Sequence, residues 1–519
     1  MDNDTKIRMI ITVVLCTALF FVWQLFYMPK TQNMQGAVDD KPAETQPDSA
    51  IQAENAEIVA VPLETPVLDI PSAYSPPFTV EMSDFSVNFD AMCGDIHSVT
   101  LHTYTGKANE AVTFARIDSE TANYATLTAG IASGYTHTID KQPGKTIVTF
   151  KAENEILRVT KQYALPDKGY YIPVEFYFEN LSEDILSANV TAAVGPEMGK
   201  GFESELYVYS GPIIHNKEKT EKKKAKDVKK TLTLTDPLWG GYTSKYFIFA
   251  IFAEGFDYAE ISKSGNSAVT VFSGNIKIAP GMSESVKNLA FYVGPKEYET
   301  LKAFGIELQK SIDYGWFFFL AIPMKKIMNF IYDFVHNYGL AIIILTVIVK
   351  IITLPLTLKS MISMRAMAKL QPEMVKIKEQ YKDEPQKMNA ATMELYKKNN
   401  INPMSGCLPV FVQIPVFFAL YKTLLVSIEL KGAPFFGWII DLSAKDPYYI
   451  TPILMGITMF LQQKMTPSTM DPMQQKIFLV MPVVFAFMCL NFPSGLVVYW
   501  LTNNVLSIAQ QYVINKRVK

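Results

Sequence analysis

Five apolar segments between residues 337 and 514 constrain the fold of this chain more than any other feature. They are Asn337–Leu358, Met404–Ile428, Tyr448–Gln463, Ile477–Phe492 and Pro493–Ile514. A helix needs about 20 residues to cross the roughly 30 Å hydrocarbon core of a bilayer, because each residue adds 1.5 Å. The third and fourth segments have about sixteen residues each and would span only about 24 Å, which favours a locally thinned bilayer. The pattern predicts a helical membrane core over residues 337–519.

A sixth apolar segment lies near the N-terminus. Lys6 and Arg8 precede Met9–Met28, twenty residues without a charge. The run is long enough to span and lacks the small-residue cleavage pattern of a signal peptide, so we predict an uncleaved anchor over 1–29 with its N-terminus in the cytoplasm. A long signal peptide is the alternative. Residues 30–77 are rich in Pro, Ala, Gln and acids, which predicts a flexible linker.

The distribution of charge predicts the orientation of the chain. Only 19% of its 519 residues are charged, below the roughly 25% of soluble domains. Residues 1–320 hold 28 Lys and Arg against 40 Asp and Glu, whereas residues 321–519 hold 20 against 10. Positive loops stay in the cytoplasm, so the C-terminus with Lys516, Arg517 and Lys519 is predicted there too. The positive charge is interleaved with apolar spans, which argues against nucleic-acid binding.

Between the anchor and the core, residues 78–310 show the two-residue period of β-strands, separated by turn residues. This predicts a large antiparallel β-sandwich outside the membrane. The run Lys217–Lys230 interrupts it and is interpreted as a solvated loop or short exposed helix, with a binding patch as the alternative. The strand-like runs are Phe85–Phe89, Ser98–Tyr104, Thr146–Phe150, Tyr170–Phe178, Thr231–Leu234, Tyr246–Ala253, Ala268–Phe272 and Leu289–Val293.

No pattern in the sequence indicates catalysis. The histidines of the β domain have no paired spacing, and Cys16, Cys93, Cys407 and Cys489 lie far apart without metal-like spacing. A P-loop is also lacking. We therefore predict a protein that is not an enzyme, with no catalytic residues, no metal site, no cofactor and no disulfide framework.

Residues 311–336 precede the core and are predicted to form an amphipathic helix in the membrane interface. The apolar stripe consists of Leu320, Met324, Ile327, Ile331 and Phe334. The opposite face carries Lys325, Lys326, Asn329 and Asp333, and Pro323 is expected to kink the helix. A helix packed on the sandwich is the alternative interpretation.

Polar residues repeat at helical spacing inside two of the spans. Lys350 lies in the first span on one face with Thr346, Thr353 and Thr357. A lysine inside a span costs at least about 2.5–3.5 kcal/mol and usually faces a cavity or partner. Snorkelling to the cytoplasmic surface is the alternative. We predict a hydrophilic groove, although polar residues also hold helices together. Its other predicted residues are Gln413, Trp500, Asn503, Asn504 and Ser507, with Gln511 on the same face as Trp500.

The charged stretch 359–402 follows the first span and is predicted to form a cytoplasmic helical hairpin, broken at Asp383-Glu384-Pro385. Its apolar positions include four methionines, whose flexible side chains suit the binding of varied apolar segments. Filling gaps against a neighbouring helix is the other interpretation. These predicted client contacts are Met364, Met367, Met374 and Met388.

Several strings of this sequence resemble the YidC branch of the YidC/Oxa/Alb insertases. They are DYGW (313–316), PLT (355–357), LQPEM (370–374), NPMSGCLPVFVQIPVFFALY (402–421), DLSAKDPYYITPILMG (441–456), DPMQQKI (471–477) and FPSGLVVYW (492–500). The resemblance implies a Gram-negative inner-membrane protein with a periplasmic β-supersandwich, six transmembrane helices, a five-helix core, and a groove open to cytoplasm and lipid. Lys350 stands where the family usually has arginine, and Trp500 where tyrosine is frequent. Lys422 is also unexpected, and we predict that it snorkels.

We therefore predict a membrane protein insertase and chaperone that acts on nascent membrane proteins, alone or with the Sec translocon. Membrane lipids are expected partners, and ribosomes are expected to be contacted through cytoplasmic loops. The alternatives are a membrane-tethered periplasmic carbohydrate-binding module and an ion-coupled transporter. The transporter is disfavoured because no acid lies inside a predicted span, whereas proton relays need intramembrane carboxylates or histidines. Deleting residues 78–300 would discriminate the insertase and tethered-module interpretations. An insertase should keep most of its activity, whereas a tethered module would lose all of it.

Overall fold

The structure, a computed structural model, describes residues 58–60 and 77–517 apart from short gaps. These gaps are 107–109, 117–121, 197, 201, 203–207, 225–226, 229, 253, 265–266, 287, 382–383, 403 and 467–471. The predicted anchor (1–29) and most of the predicted linker lie outside the described residues. The described strands all lie before residue 296 and the described helices follow it. The predicted division into a β domain and a helical C-terminal part is confirmed.

Two ten-stranded sheets form the β domain in the part of the chain that is described. The first has the order β14-β17-β18-β11-β6-β4-β3-β2, with β5 beside β4 and β1 beside β11. The second has the order β13-β12-β15-β16-β20-β10-β9-β8-β7, with β19 beside β10. The strands are β1 Ile58–Ala60, β2 Phe78–Glu81, β3 Phe85–Phe89, β4 Ile96–Thr105, β5 Ala111–Phe114, β6 Ala125–Thr128, β7 Thr136–Gln142, β8 Lys145–Glu153, β9 Leu157–Pro166, β10 Tyr171–Asn180, β11 Ile185–Val194, β12 Gly211–Asn216, β13 Thr220–Lys222, β14 Leu232–Thr235, β15 Pro237–Thr243, β16 Phe247–Phe252, β17 Tyr258–Ser264, β18 Ser267–Ile278, β19 Ser283–Ser285 and β20 Ala290–Pro295.

The inner faces of the two sheets share one aromatic-rich core. In β9 every second residue from Leu157 onward is buried, as expected for a strand with one face on a core. Phe89 of the first sheet lies 5.4 Å from Phe150 and 5.0 Å from Tyr163 of the second, measured between ring centroids. Apart from β1 with β11, the described strand pairs are antiparallel. The predicted antiparallel β-sandwich is confirmed.

Two predictions for the outer segments of this domain are wrong in part. Within Lys217–Lys230, Thr220–Lys222 forms strand β13 and pairs with β12, because β12 leaves a free edge beside it. Within the linker, Ile58–Ala60 is not free chain but pairs in parallel with Ile185–Ser187 of β11. Each of the eight predicted strand runs overlaps a strand, with bounds that differ by a few residues.

The helical part begins directly after β20. Its α-helices are α1 Tyr298–Ala303, α2 Phe318–Val335, α3 Tyr338–Lys369, α4 Gln371–Gln380, α5 Pro385–Lys398, α6 Met404–Val426, α7 Ile450–Met465, α8 Pro472–Met488 and α9 Ser494–Arg517. Short 3-10 turns cover Leu308–Ser311, Ile428–Leu430 and Cys489–Asn491. Among the described helices, α3 alone is long and apolar enough to cross a membrane, while Phe411–Val426 and Leu479–Asn491 are shorter apolar stretches.

Helix α3 is longer than the sequence predicted. It continues to Lys369, whereas the first span was predicted to end at Leu358 and the hairpin to begin at 359. The hairpin therefore comprises the last turns of α3 followed by α4 and α5. Its predicted break is confirmed, since α4 ends at Gln380 and α5 begins at Pro385. As a consequence, Lys350 lies near the middle of α3.

Burial along helix α2 differs between residues of the same predicted face. Ile327 and Phe334 were predicted in the apolar stripe, but their side chains are exposed, whereas Lys325 of the predicted polar face is only 4% exposed. The reason is an ion pair of 2.8 Å between Lys325 Nζ and Glu429 Oε1, a carboxylate more than a hundred residues away in sequence. Helix α2 thus turns Lys325 toward the protein and leaves an aromatic face outside.

Candidate functional site

Lys350 and Ser507 join the two helices on which the sequence showed polar stripes. Lys350 Nζ of α3 donates a hydrogen bond of 2.8 Å to Ser507 Oγ of α9. Ser507 Oγ donates in turn to the carbonyl oxygen of Asn503 at 2.7 Å. Among the described residues, no carboxylate lies within ion-pair distance of Lys350. The half-buried ammonium group is therefore a charge without a counter-charge from the described chain.

The threonines of the same stripe bond within α3. Thr346 Oγ1 donates to the Ile342 carbonyl at 2.7 Å and Thr353 Oγ1 to the Val349 carbonyl at 2.9 Å. Thr346 is buried, and Thr353 is half-buried. Because the hydroxyls bond to carbonyl oxygens of their own helix, these residues satisfy their polar groups without contacting the ammonium group of Lys350. The charge of Lys350 is the strongest electrostatic feature of this stripe.

Two amides of α9 face a different neighbour. Asn504 Nδ2 lies 3.4 Å from the Met455 carbonyl oxygen and 3.4 Å from Thr458 Oγ1, both on α7. Gln511 Nε2 donates to the Met465 carbonyl at 2.7 Å. Both side chains are almost completely buried. The structure thus separates Asn504 from the Lys350–Ser507 contact and gives it the helix-joining role that the sequence left open.

Trp500 and Gln413 lie at an aromatic contact between α6 and α9. The Trp500 ring centroid is 4.7 Å from that of Phe417 and 4.3 Å from that of Phe485. Gln413 Nε2 lies 3.4 Å from Tyr499 Oη, the residue before Trp500. The indole is half-buried between these rings, so it presents a wide and rigid surface beside the polar residues of α9.

The hairpin methionines are mostly packed within the hairpin. Met367 is buried in a small cluster with Leu370 and Tyr396, against which Met364 and Met374 pack. Tyr396 Oη lies 3.1 Å from Met374 Sδ. Met388 is half-buried. The exposed apolar side chains of this region are ones that the sequence did not single out: Ile362, Val375 and Met393.

The loop between α6 and α7 covers the end at which both α3 and α9 begin. The amide nitrogens of Ser494 and Gly495 donate to the carbonyls of Ala444 and Leu442 at 2.7 and 2.8 Å. Phe435 of this loop packs so closely on Gly339 of α3 that an added Cβ would lie 2.0 Å from its ring. Lys350 follows the start of α3 by twelve residues, about 18 Å of helix. The loop therefore closes this end of the helix pair above the Lys350–Ser507 contact.

Asp446 holds that loop in shape and was not recognised from sequence. Its carboxylate accepts hydrogen bonds from Trp438 Nε1 at 3.0 Å, Tyr448 N at 2.9 Å, and Thr451 N and Oγ1 at 2.7 Å. Burial alone would raise the pKa of Asp446, but these bonds hold the pKa below its usual range. An aspartate shortly before an apolar helix is a helix-start signal that could have indicated this residue.

Lys422 was predicted to snorkel, in preference to adding a second charge to the groove, and its ammonium group pairs outside the predicted groove. Its side chain is 14% exposed, and Nζ lies 3.7 Å from Asp313 Oδ2, in the segment before α2. The aliphatic part of Lys422 packs beside Gly315, where an added Cβ would lie 3.5 Å from it.

Two family models together match nearly all of the described chain. The model of the YidC periplasmic domain matches residues 78–327, and that of the 60Kd inner membrane protein matches residues 330–519. The membrane protein insertase YidC of Geobacter metallireducens is 40% identical over 533 aligned residues, which cover 98% of either chain.

The chain belongs to the YidC family of membrane protein insertases.

A second relative, the membrane protein insertase YidC of Geobacter sulfurreducens, is 48% identical over 69% of this chain and 68% of its own length. A crystal structure of an active YidC insertase with its first transmembrane domain resolved has a TM-score of 0.38 at 18% identity, covering 85% of this chain and 93% of that one. The predictions of the family, of an insertase, and of an inner-membrane protein with a periplasmic β domain are confirmed.

Proposed function

We propose that this insertase works through a hydrophilic groove lined by Lys350, Thr346, Thr353, Gln413, Trp500, Asn503 and Ser507. The observation that carries the proposal is the Lys350–Ser507 contact in the middle of two apolar helices, with no acidic partner within ion-pair distance among the described residues. A single hydroxyl only partly compensates an ammonium group away from water. The acidic flank of a client segment would supply the missing counter-charge.

In this proposal the clients are nascent membrane proteins. The polar flank of a client enters from the cytoplasm, meets Lys350, and is stopped by the loop that Asp446 holds. The two short helices α7 and α8 thin the bilayer and shorten the crossing. The apolar part of the client then moves into lipid past α6 and α8, with Trp500 offering a rigid apolar surface. The chain's own residues orient and solvate the client, and no covalent step is involved.

The membrane topology completes the proposal. Residues 1–29 form the first of six spans, with both termini in the cytoplasm. The periplasmic β-supersandwich of residues 78–310 connects it through the interfacial segment 311–336 to the five-helix core of residues 337–519. The remaining linker, residues 30–57 and 61–77, joins the anchor to the sandwich. In this topology the Sec translocon and the ribosome are the proposed partners of the protein.

The hairpin, residues 359–402, is proposed to receive clients on its exposed apolar side chains Ile362, Val375 and Met393. The predicted contacts Met364, Met367, Met374 and Met388 would take part after the hairpin opens, since three of them pack inside it. A methionine-rich interior can repack around varied segments at low cost.

Reversal of one charge tests the proposed role of Lys350. Purified chains in liposomes receive a single-span client with an acidic flank, and protease protection measures its insertion. We expect Lys350→Ala and Lys350→Glu to lower insertion by roughly tenfold or more, because a charge pair near 4 Å contributes between about 1 and 4 kcal/mol. Lys350→Arg keeps the charge and should retain insertion.

Lys359→Glu is the matched control, since it makes the same charge change on an exposed position of α3. A client with a neutral flank is the second control and should be little affected by any variant. Equal insertion of the acidic client by the native chain, Lys350→Ala and Lys350→Glu would contradict the electrostatic role.

A further inference from the structure

Three lysines and one aspartate meet where the β domain joins the helices. Lys422 Nζ of α6 lies 3.7 Å from Asp313 Oδ2. Lys296, directly after β20, is 3% exposed and donates to Thr243 Oγ1 at 3.1 Å and to the Ser244 carbonyl. Lys222 of β13 is half-buried and close enough to Asp313 and Lys422 for their charges to act on it. Lys222, Lys296, Lys422 and Asp313 are called the junction cluster below.

The junction cluster has more positive than negative charge. Burial alone would raise the pKa of Asp313, but Lys422, Lys222, the Gly315 amide and Lys296 together hold the pKa below its usual range. Asp313 is also the carboxylate whose charge acts on both Lys222 and Lys296. One carboxylate thus faces three amines in a partly dehydrated place, where like charges repel more strongly than in water.

Exposed aromatic residues follow the cluster along the chain. Trp316 is 78% exposed and Phe318 57% exposed, only three and five residues after Asp313. Exposed aromatic side chains of this kind concentrate at the headgroup level of membranes. Asp313 itself is 41% exposed at its side chain, so the cluster is reachable from the surface.

We propose that the junction cluster binds the phosphodiester of an anionic phospholipid in the periplasmic leaflet. The phosphate oxygens would accept hydrogen bonds from Lys222 and Lys422 and supply the missing negative charge, while the acyl chains lie along Trp316 and Phe318. Basic pockets between membrane elements bind lipid headgroups in this manner. The bound lipid would join β13 of the sandwich to α6 of the membrane core.

Native mass spectrometry of the full chain in detergent, titrated with phosphatidylglycerol or phosphatidylcholine, tests this inference. We expect tighter binding of phosphatidylglycerol, and a loss of roughly tenfold in its affinity for the double variant Lys222→Gln and Lys422→Gln. The matched double control, Lys310→Gln and Lys326→Gln, removes two exposed lysines that pair with Glu307 and Glu299 and should bind as the native chain does.

Asp313→Asn provides a result that misfolding cannot imitate. It removes the negative charge of the cluster, so the affinity for phosphatidylglycerol should rise. Equal affinity for the two lipids, equal loss in the control variant, or a fall in affinity in Asp313→Asn would overturn the proposal. Complete displacement of the lipid by millimolar inorganic phosphate would do so as well, because it would assign the cluster to the free ion.

Discussion

Lys350 and Lys325 lie on adjacent helices, but within the described part of the chain only Lys325 has an acidic partner. We therefore expect Lys325 to contribute to stability and Lys350 to client binding. Lys325 is buried against Glu429, whereas the ammonium group of Lys350 hydrogen-bonds only to the hydroxyl of Ser507 among the described residues. The charge of Lys325 thus has its counter-charge within the chain. A half-buried charge with one neutral partner retains the capacity to bind an incoming carboxylate.

At the same scale, Asp446 offers a test of the loop that closes the helix pair. Asp446→Asn replaces one acceptor oxygen by an NH2 group that faces donors, which should cost about 1–3 kcal/mol. Thermal unfolding of the full chain in detergent should show a melting temperature several degrees lower. The depressed pKa of Asp446 means that its native contribution is present above about pH 4 and is lost as the pH falls further through the folded-state pKa.

Asp441→Asn is the matched control for Asp446. Asp441 lies in the same loop, but its carboxylate accepts a hydrogen bond from the Ser443 amide alone among the described contacts. Its melting temperature should stay close to that of the native chain. Equal melting temperatures of the native chain and Asp446→Asn would show that the loop does not depend on this carboxylate.

Lys296 predicts a pH-dependent stability of the same sign, in a higher pH range. Burial lowers its pKa to about 7, with the Lys222 charge adding to the effect and Asp313 opposing it. The unfolded chain keeps a lysine pKa near 10.4, so between about pH 7 and pH 10 the unfolded state binds more protons and stability rises with pH. Lys296→Met removes this dependence, although it also loses two hydrogen bonds at every pH.

The melting temperatures of the native chain, Lys296→Met and Lys310→Met at pH 7 and pH 9 test this prediction. The native chain should gain stability relative to Lys296→Met as the pH rises, whereas Lys310→Met, at an exposed position, should show no such change. A difference between the native chain and Lys296→Met that stays constant across this range would contradict the assignment.

At the scale of elements, the helix α2 is held to the core by charge as well as by apolar packing. Lys325 of α2 meets Glu429 of the turn after α6, and Thr423 Oγ1 of α6 donates to the Ala321 carbonyl of α2 at 3.2 Å. The neighbouring pair Lys326–Glu299, at 3.4 Å, is more than half exposed at both side chains. The two pairs offer a direct comparison of buried and exposed charge.

A double-mutant cycle distinguishes them. Lys325→Met and Glu429→Gln should each destabilise the chain by roughly 3 kcal/mol because each leaves the other partner buried and unpaired, and the double variant should cost clearly less than the sum. The same cycle at Lys326 and Glu299 should give a coupling of about 0–1 kcal/mol. Unfolding in denaturant measures both, and equal coupling at the two pairs would refute the distinction.

The elements also mark where sequence reasoning succeeds. Polar residues at helical spacing predicted that Lys350 and Ser507 face a common side. Strand β7, which is exposed throughout, and the strictly alternating β9 are not among the predicted runs, whereas the completely buried β16 and β20 are. Alternation of buried and exposed residues therefore does not by itself explain which strands were predicted. The pairs Lys325–Glu429 and Lys422–Asp313 join distant segments, and no local pattern indicates which segments meet.

At the scale of the whole molecule, the sandwich and the helices share one hydrophobic cluster. It contains Ile213 and Trp239 of the second sheet together with Met328 of α2 and Ile342 of α3. The junction cluster and the loop around Asp446 lie on the same side of the membrane core as this contact. The β domain is therefore packed against the helical part through this hydrophobic cluster.

Photo-crosslinking from single positions to a ribosome-stalled nascent membrane protein tests the client path most directly. The crosslinking residue replaces Trp500 or Asn503 at the groove, and Phe334, 70% exposed on α2, as the control. We expect strong crosslinks from positions 500 and 503, weak ones from 334, and weaker groove crosslinks to an acidic-flanked client when Lys350→Glu is added. Crosslinks from position 334 that equal or exceed those from 500 and 503 would contradict the groove.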